Sequence, residues 1–201
     1  MEIIINKDRS QFFKSNLKKT KNGKGVVLQA REGRFAKEIL SCWPGTLFLI
    51  DSWSDSENPT MGMPDVTEET ILLQALDRIK LYGDRAILTR TSTEKAGDLF
   101  GAESLDFVFL HGLTTYEEVK NTIKTWTKKI KPGGWIGGFG FLNSNLESLG
   151  QETGKNRMVW NEDGIFLGYF GVNSAVRETV GLKYNIRITS EEVGSWFATL
   201  E

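Results

Sequence analysis

The chain has 201 residues, and its 25 Lys plus Arg against 26 Asp plus Glu leave a formal net charge of -1, too little to draw it onto nucleic acid. Hydrophobic residues at 39% and aromatics at 11% suffice for a packed core, and the length suits one domain of ordinary size. One cysteine, Cys42, and one histidine, His111, exclude an internal disulfide and a Cys/His zinc cluster, and no apolar stretch reaches the ~18 residues a spanning helix needs. The opening MEIIINKDRS has no long apolar segment followed by small residues, so a cytoplasmic protein without a membrane partner is expected.

Residues 1–24 read as an N-terminal helical extension, and residues 25–201 as the main domain. From residue 25 onward, extended apolar runs alternate with helical patterns, the form taken by strand-helix-strand units on a parallel sheet. The first strand is expected at Val26 to Ala30. Phe35, Ala36, Ile39 and Leu40 form a helical stripe before the second strand, Leu47 to Asp51, whose unbroken apolar run predicts cover on both faces. A second stripe, Ile71, Leu72, Ala75, Leu76 and Ile79, leads to the third strand, Ala86 to Thr89. The fourth, Leu105 to Leu110, is followed by Tyr116, Val119, Ile123, Trp126 and Ile130 at steps of three and four, with Lys120, Lys124 and Lys128 opposite. Trp135 to Phe139 makes the fifth strand. Val159, Trp160 and Ile165 to Leu167 flank an Asp163-Gly164 step that favours a hairpin turn. Gly171 to Val180 then reads as a short helix, with Lys183 to Thr189 and Ser195 to Leu200 as an antiparallel end pair.

Two charge runs stand out. Residues 14–24 hold five lysines and no acid, which reads as a solvated helix end. From Asp51 to Asp77 there are seven acids and no Lys or Arg, consistent with either a pocket mouth or an acidic loop and helix start.

Ligands of such sheets lie above the strand C-termini, so the residues just past each strand are the site candidates. After the first strand come Gln29, Arg31 and Gly33, the glycine allowing close backbone approach to a ligand. After the second stands Asp51, whose carboxylate needs donors; a ribose diol would supply two, and the amides of Ser52 and Trp53 would serve as well. Beyond the third strand, the hydroxyls of Ser92 and Thr93 could meet a purine edge or cap the next helix. After the fourth, His111 could act as a general base or as a hydrogen-bonded polar side chain at a strand end. No Gly-x-Ser-x-Gly elbow occurs.

Several stretches carry a family resemblance: Gly33 to Leu40, Leu47 to Asp51 with Trp53, Ser104 to Phe109, Tyr116-Glu117-Glu118-Val119, Lys131-Pro132-Gly133-Gly134, and Gly171-Val172 with Ala175-Val176. Over most of residues 25–200 the chain resembles the small class I S-adenosylmethionine-dependent methyltransferases, in particular the branch with a catechol or macrocin O-methyltransferase-like domain. The resemblance implies an α/β, Rossmann-like doubly wound sheet of seven mostly parallel strands with an antiparallel end pair. It also implies S-adenosylmethionine as cofactor, with Asp51 on the ribose hydroxyls, Gln29, Arg31 and Gly33 in the loop under the methionine part, and Ser92 and Thr93 near the adenine.

The chain departs from the family at working positions. Where the family's loop begins with an acid, one residue, then glycine, this chain has Val27, Leu28 and Gln29. Where relatives carry Asp and His after the fourth and fifth strands, it has His111-Gly112-Leu113 and Gly138-Phe139-Gly140-Phe141, which offer no carboxylate to a hard cation. The expected activity is therefore metal-independent methyl transfer to a small-molecule acceptor, with His111 as base and residues 141–170 closing over the acceptor. The alternative is a catalytically inactive binding or interaction module of the same fold. A homo-oligomeric state stays open.

Overall fold

The computed structural model describes residues 3–6, 8–17, 22–54, 67–142, 158–160, 166–169, 171–191 and 193–201. The chain opens with β1 (Ile3–Asn6) and α1 (Arg9–Leu17), then runs through β2 (Lys24–Leu28), α2 (Arg34–Cys42), β3 (Thr46–Asp51), α3 (Glu68–Ile79), β4 (Ala86–Arg90), α4 (Thr93–Ala96) and β5 (Leu105–Leu110). It continues with α5 (Tyr116–Trp126), β6 (Ile130–Leu142), β7 (Met158–Trp160), β8 (Phe166–Tyr169), α6 (Gly171–Glu178), β9 (Ile186–Thr189) and β10 (Val193–Thr199). The main sheet has the order β1-β9-β10-β6-β5-β2-β3-β4. Every neighbouring pair is parallel except the two that β10 makes with β6 and β9. The seven strands from β2 onward that join this sheet match the expected doubly wound, mostly parallel architecture with an antiparallel end. An eighth, β1, pairs with β9 and was not expected: the stretch before residue 25 contributes a strand as well as a helix.

Each parallel strand alternates its apolar side chains between two layers. Val27, Leu47, Leu49, Phe107 and Phe109 face α1, α2 and α3, whereas Val26, Leu28, Ile50, Val108 and Leu110 face α4, α5 and α6. Helix α1 belongs to the first layer: Phe12, Phe13 and Leu17 are buried, and Phe12 stacks on Phe197 at 3.6 Å between ring centroids. Helix α5 is fixed at its start by a Thr115/Glu118 capping box and buries Tyr116, Val119, Ile123 and Trp126, as the periodicity predicts.

The boundaries shift where backbone geometry intervenes. The first strand ends at Leu28 rather than Ala30, because Gln29 adopts φ 50° and leaves the ladder. The fifth expected strand extends to Ile130–Leu142. Leu76, expected on the buried stripe of its helix, is 43% exposed and borders an open groove with Ala86 and Leu88 of β4. The expected hairpin pairs as β7 with β8, while its turn at 161–165 falls outside the described residues, as do residues 18–21 of the lysine run and 55–66 of the acidic run.

Asn173 on α6 is fully buried and closes the far end of β6: its Nδ2 donates to the Leu142 carbonyl at 3.0 Å, and its Oδ1 accepts from the Leu142 amide at 2.9 Å. Asn173→Ala leaves both buried backbone groups of Leu142 without this partner, and should lower the unfolding free energy in urea titration by about 2–4 kcal/mol.

Candidate functional site

The sheet order reverses between β2 and β5, so a crevice opens above their C-terminal ends. The loop from β2 to α2 follows an unusual path: Gln29, Arg31 and Gly33, at alternate positions, have φ of 50°, 50° and 78°. Left-handed geometry is free to glycine but costs other residues roughly 1–2 kcal/mol, so two of these positions are strained. Trp53, just past β3, adds a third non-glycine residue, at φ 39°.

Asp51 holds this arrangement together. Its Oδ2 accepts the amide of Arg31 at 2.9 Å, and its Oδ1 accepts the amide of Trp53 at 3.1 Å. The Trp53 indole, wholly buried, donates to the Arg31 carbonyl at 3.0 Å and closes the ring of contacts. Of the two partners open to Asp51 in the sequence, the protein's own amides are engaged, with Arg31 in place of Ser52. Each carboxylate oxygen retains a further lone pair, although the residue is only 5% exposed. The surroundings brace the same loop: the Arg31 guanidinium donates to both oxygens of Glu68 at 2.9 Å, and Arg90 donates to the carbonyls of Ser52 and Trp53.

Gln29 points its side chain across the switch point. A Cβ on Gly112 would lie 2.5 Å from Gln29 Oε1, so Gly112, at φ 81°, is the residue that leaves room for it. His111 sits beside them, its amide donating to the Leu28 carbonyl at 3.0 Å and its Nδ1 3.0 Å from the Gln29 carbonyl. A carbonyl can only accept, so Nδ1 carries the proton and Nε2 remains an acceptor. The ring lies 4.4 Å from Phe35 and 6.1 Å from Phe139, and burial among them pulls its pKa down to about 4, the Gln29 carbonyl opposing only in part. Arg9 covers Phe35 from outside, 4.3 Å above the ring, and is paired with Glu38.

Ser92 caps α4, its Oγ accepting the Lys95 amide at 3.4 Å, and Thr93 is buried in the first turn. The amide of Thr91 donates to the Asp51 carbonyl, tying the end of β4 to the end of β3. Gln29, Arg31, Asp51 and His111 are thus brought together through shared backbone groups, while Ser92 and Thr93 stand one strand further out. Sequence reasoning did not assign site roles to Trp53, Glu68, Phe35 or Phe139. The tryptophan directly following Asp51-Ser52 was the available signal, since a large apolar side chain in a polar loop needs a buried seat. Among the described residues, no group of three or more His, Cys, Asp or Glu side chains is placed to hold a metal ion, and no helix is long and apolar enough to cross a membrane.

No protein-family model matches the sequence, and no curated protein matches it. Solved structures do match. A SAM-dependent methyltransferase of Methanosarcina mazei superposes with a TM-score of 0.61 at 15% identity, over 96% of this chain and 100% of its own. This chain has the class I methyltransferase fold. A chain described as an rRNA-methylase candidate from Clostridium thermocellum gives 0.62 at 10% identity, over 95% of both chains. A 1,6-didemethyltoxoflavin-N1-methyltransferase of Burkholderia thailandensis, solved with 1,6-didemethyltoxoflavin and S-adenosylhomocysteine, gives 0.54 at 10% identity, over 94% of this chain and 76% of its own. Gln29, Arg31 and Gly33 lie in the loop from β2 to α2, all three with left-handed backbone.

Two predictions follow from this geometry. Asp51→Ala leaves the Arg31 and Trp53 amides without acceptors and should destabilise the fold by about 2–4 kcal/mol in chemical denaturation. His111, with its folded pKa below the unfolded value, makes the unfolded chain bind more protons between about pH 4 and 6.5, so stability falls as pH drops through that window. Unfolding midpoints measured across it should fall more steeply for the native chain than for His111→Phe.

Proposed function

We propose that the chain is a metal-independent S-adenosylmethionine-dependent methyltransferase acting on a small-molecule acceptor. The observation that carries this reading is the retained left-handed path at Gln29, Arg31 and Gly33, with Asp51 at the tip of β3. Backbone strain persists where the surrounding structure enforces it, and here it is enforced at the switch point where ligands of this fold bind.

The residues present fit the cofactor at its ribose: the free lone pairs of Asp51 would accept the two hydroxyls, with the Arg31 amide behind them. Gly33 would let the backbone approach the amino-acid part, and Ser92 and Thr93 would border the base. The bound cofactor supplies a methyl group on a sulfonium, a leaving group for which alignment matters more than activation by a metal. The positions that resemble cation ligands in the family hold Leu113, Phe139 and Gly140, which accords with a metal-free reaction. His111 Nε2, unprotonated at neutral pH, would take the proton of the acceptor nucleophile, and Phe35 and Phe139 would wall the acceptor from water. The small net charge supports an acceptor other than nucleic acid.

One specific observation favours a second reading, an inactive binding module. Gln29 projects over Gly112, and both Asp51 oxygens already hold amides, so the protein's own groups occupy part of the crevice. Isothermal titration with S-adenosylhomocysteine decides between them. The methyltransferase reading expects binding and a raised melting temperature for the native chain, comparable affinity for His111→Ala, and affinity at least equal for Gln29→Gly. No heat with the native chain, together with binding restored in Gln29→Gly, would establish occlusion instead.

A further inference from the structure

The loop from β2 to α2 rests against one face of α3. Glu68, Ala75 and Arg78 stand at steps of seven and three along that helix, so they share a face, and each meets a different residue of the loop. Glu68 pairs with the Arg31 guanidinium, and Arg78 donates to the Glu32 carbonyl. Gly33 lies against the helix so closely that a Cβ there would stand 3.3 Å from the Ala75 Cα. Helix α3 is itself well fixed: Thr67 accepts the Thr70 amide at 3.2 Å, and Ile71, Leu72, Ala75 and Ile79 are buried.

Three contacts hold Arg31 in its left-handed conformation, and they are not alike. Its amide goes to Asp51 and its carbonyl takes the Trp53 indole, but both run to the tip of β3, where Trp53 is itself left-handed. Only the guanidinium ties Arg31 to a regular element. The side chains of Arg31 and Glu68 are 25% and 13% exposed, so their pair is more shielded than the surface ion pairs that contribute little. We propose that Glu68 is a positioning residue for the ribose-binding carboxylate. Its pair with Arg31 keeps that residue left-handed before any ligand arrives, so the Arg31 amide stays on Asp51 Oδ2 and the carboxylate is set in advance for the sugar hydroxyls. This role rests on the methyltransferase reading above. Without Glu68 the guanidinium turns to water, Arg31 relaxes toward right-handed backbone, and a ligand must restore the turn as it binds. A glycine at position 31 would take the left-handed turn freely and still offer its amide, so it would have no need of Glu68.

That contrast supplies the test. Isothermal titration with S-adenosylhomocysteine compares the native chain, Glu68→Ala, Arg31→Gly and the double variant, with folding checked by circular dichroism. Glu68→Ala should weaken binding about 5- to 30-fold, the equivalent of one left-handed residue. Glu68→Gln, which keeps an acceptor without the charge, should fall between, and it carries the comparison if Glu68→Ala does not fold. On the Arg31→Gly background, adding Glu68→Ala should change affinity by less than about twofold, whereas a residue that merely stabilises the start of α3 would act alike on both backgrounds. Hydrogen exchange without ligand reads the same turn: the Arg31 amide should exchange faster in Glu68→Ala than in the native chain. A native chain that does not bind ends the methyltransferase reading and this proposal with it. Native binding that Glu68→Ala leaves unchanged, an equal loss on both backgrounds, or unchanged exchange at Arg31 overturns the positioning role alone. So does an Arg31→Gly chain that fails to bind, since the guanidinium itself would then be required.

Discussion

The Asp51 carboxylate, divided between the amides of Arg31 and Trp53, is the contact on which the crevice depends. Two neighbouring strands end here in backbone conformations that neither side chain would choose unaided. Arg31 and Trp53 each present the backbone N–H to the same carboxylate, and the Trp53 indole returns a hydrogen bond to Arg31. A charge-assisted bond of this kind is worth about 1.5–3 kcal/mol, enough to hold a left-handed residue in place. The carboxylate thereby acts as a structural joint whether or not a sugar hydroxyl also reaches it.

The aromatic layer beneath the crevice depends on the N-terminal elements in turn. Phe12 and Phe13 of α1 pack with Trp135, Phe109 and Phe197, and Arg9 at the start of that helix caps Phe35, which touches His111. The depressed basicity of His111 is therefore a product of the whole layer: apolar rings on two sides disfavour the imidazolium more than one backbone carbonyl favours it. Helix α1 is part of the core through the Phe12 and Phe13 rings, and β1 pairs with β9 at the edge of the sheet.

The loop from β2 to α2 turns left-handed at two positions that carry side chains, Gln29 and Arg31. Glycine is the inexpensive way to turn left-handed three times in five residues; here Gln29 and Arg31 make the same turns at a cost, and neighbours absorb their side chains. Arg31 finds Glu68 at the start of α3, and Gln29 finds the hollow that Gly112 leaves. The cost is met by tertiary contacts that no window of the sequence around the loop contains.

Much of the architecture was readable from the chain. The unbroken apolar runs of β3 and β5 and the three-and-four stripe of α5 follow from burial on two faces and on one, so order and type of these elements needed no other information. The candidate residues Gln29, Asp51 and His111 were found by the same logic, as the positions just past strands. What composition and spacing leave open is direction. That Asp51 meets the amide of Arg31, 20 residues back, that Gln29 sends its side chain over Gly112 and its carbonyl to His111, 82 residues on, and that Leu76 stays exposed are decided by the fold. Local pattern specifies which side chains must be buried, and only the folded topology specifies against what.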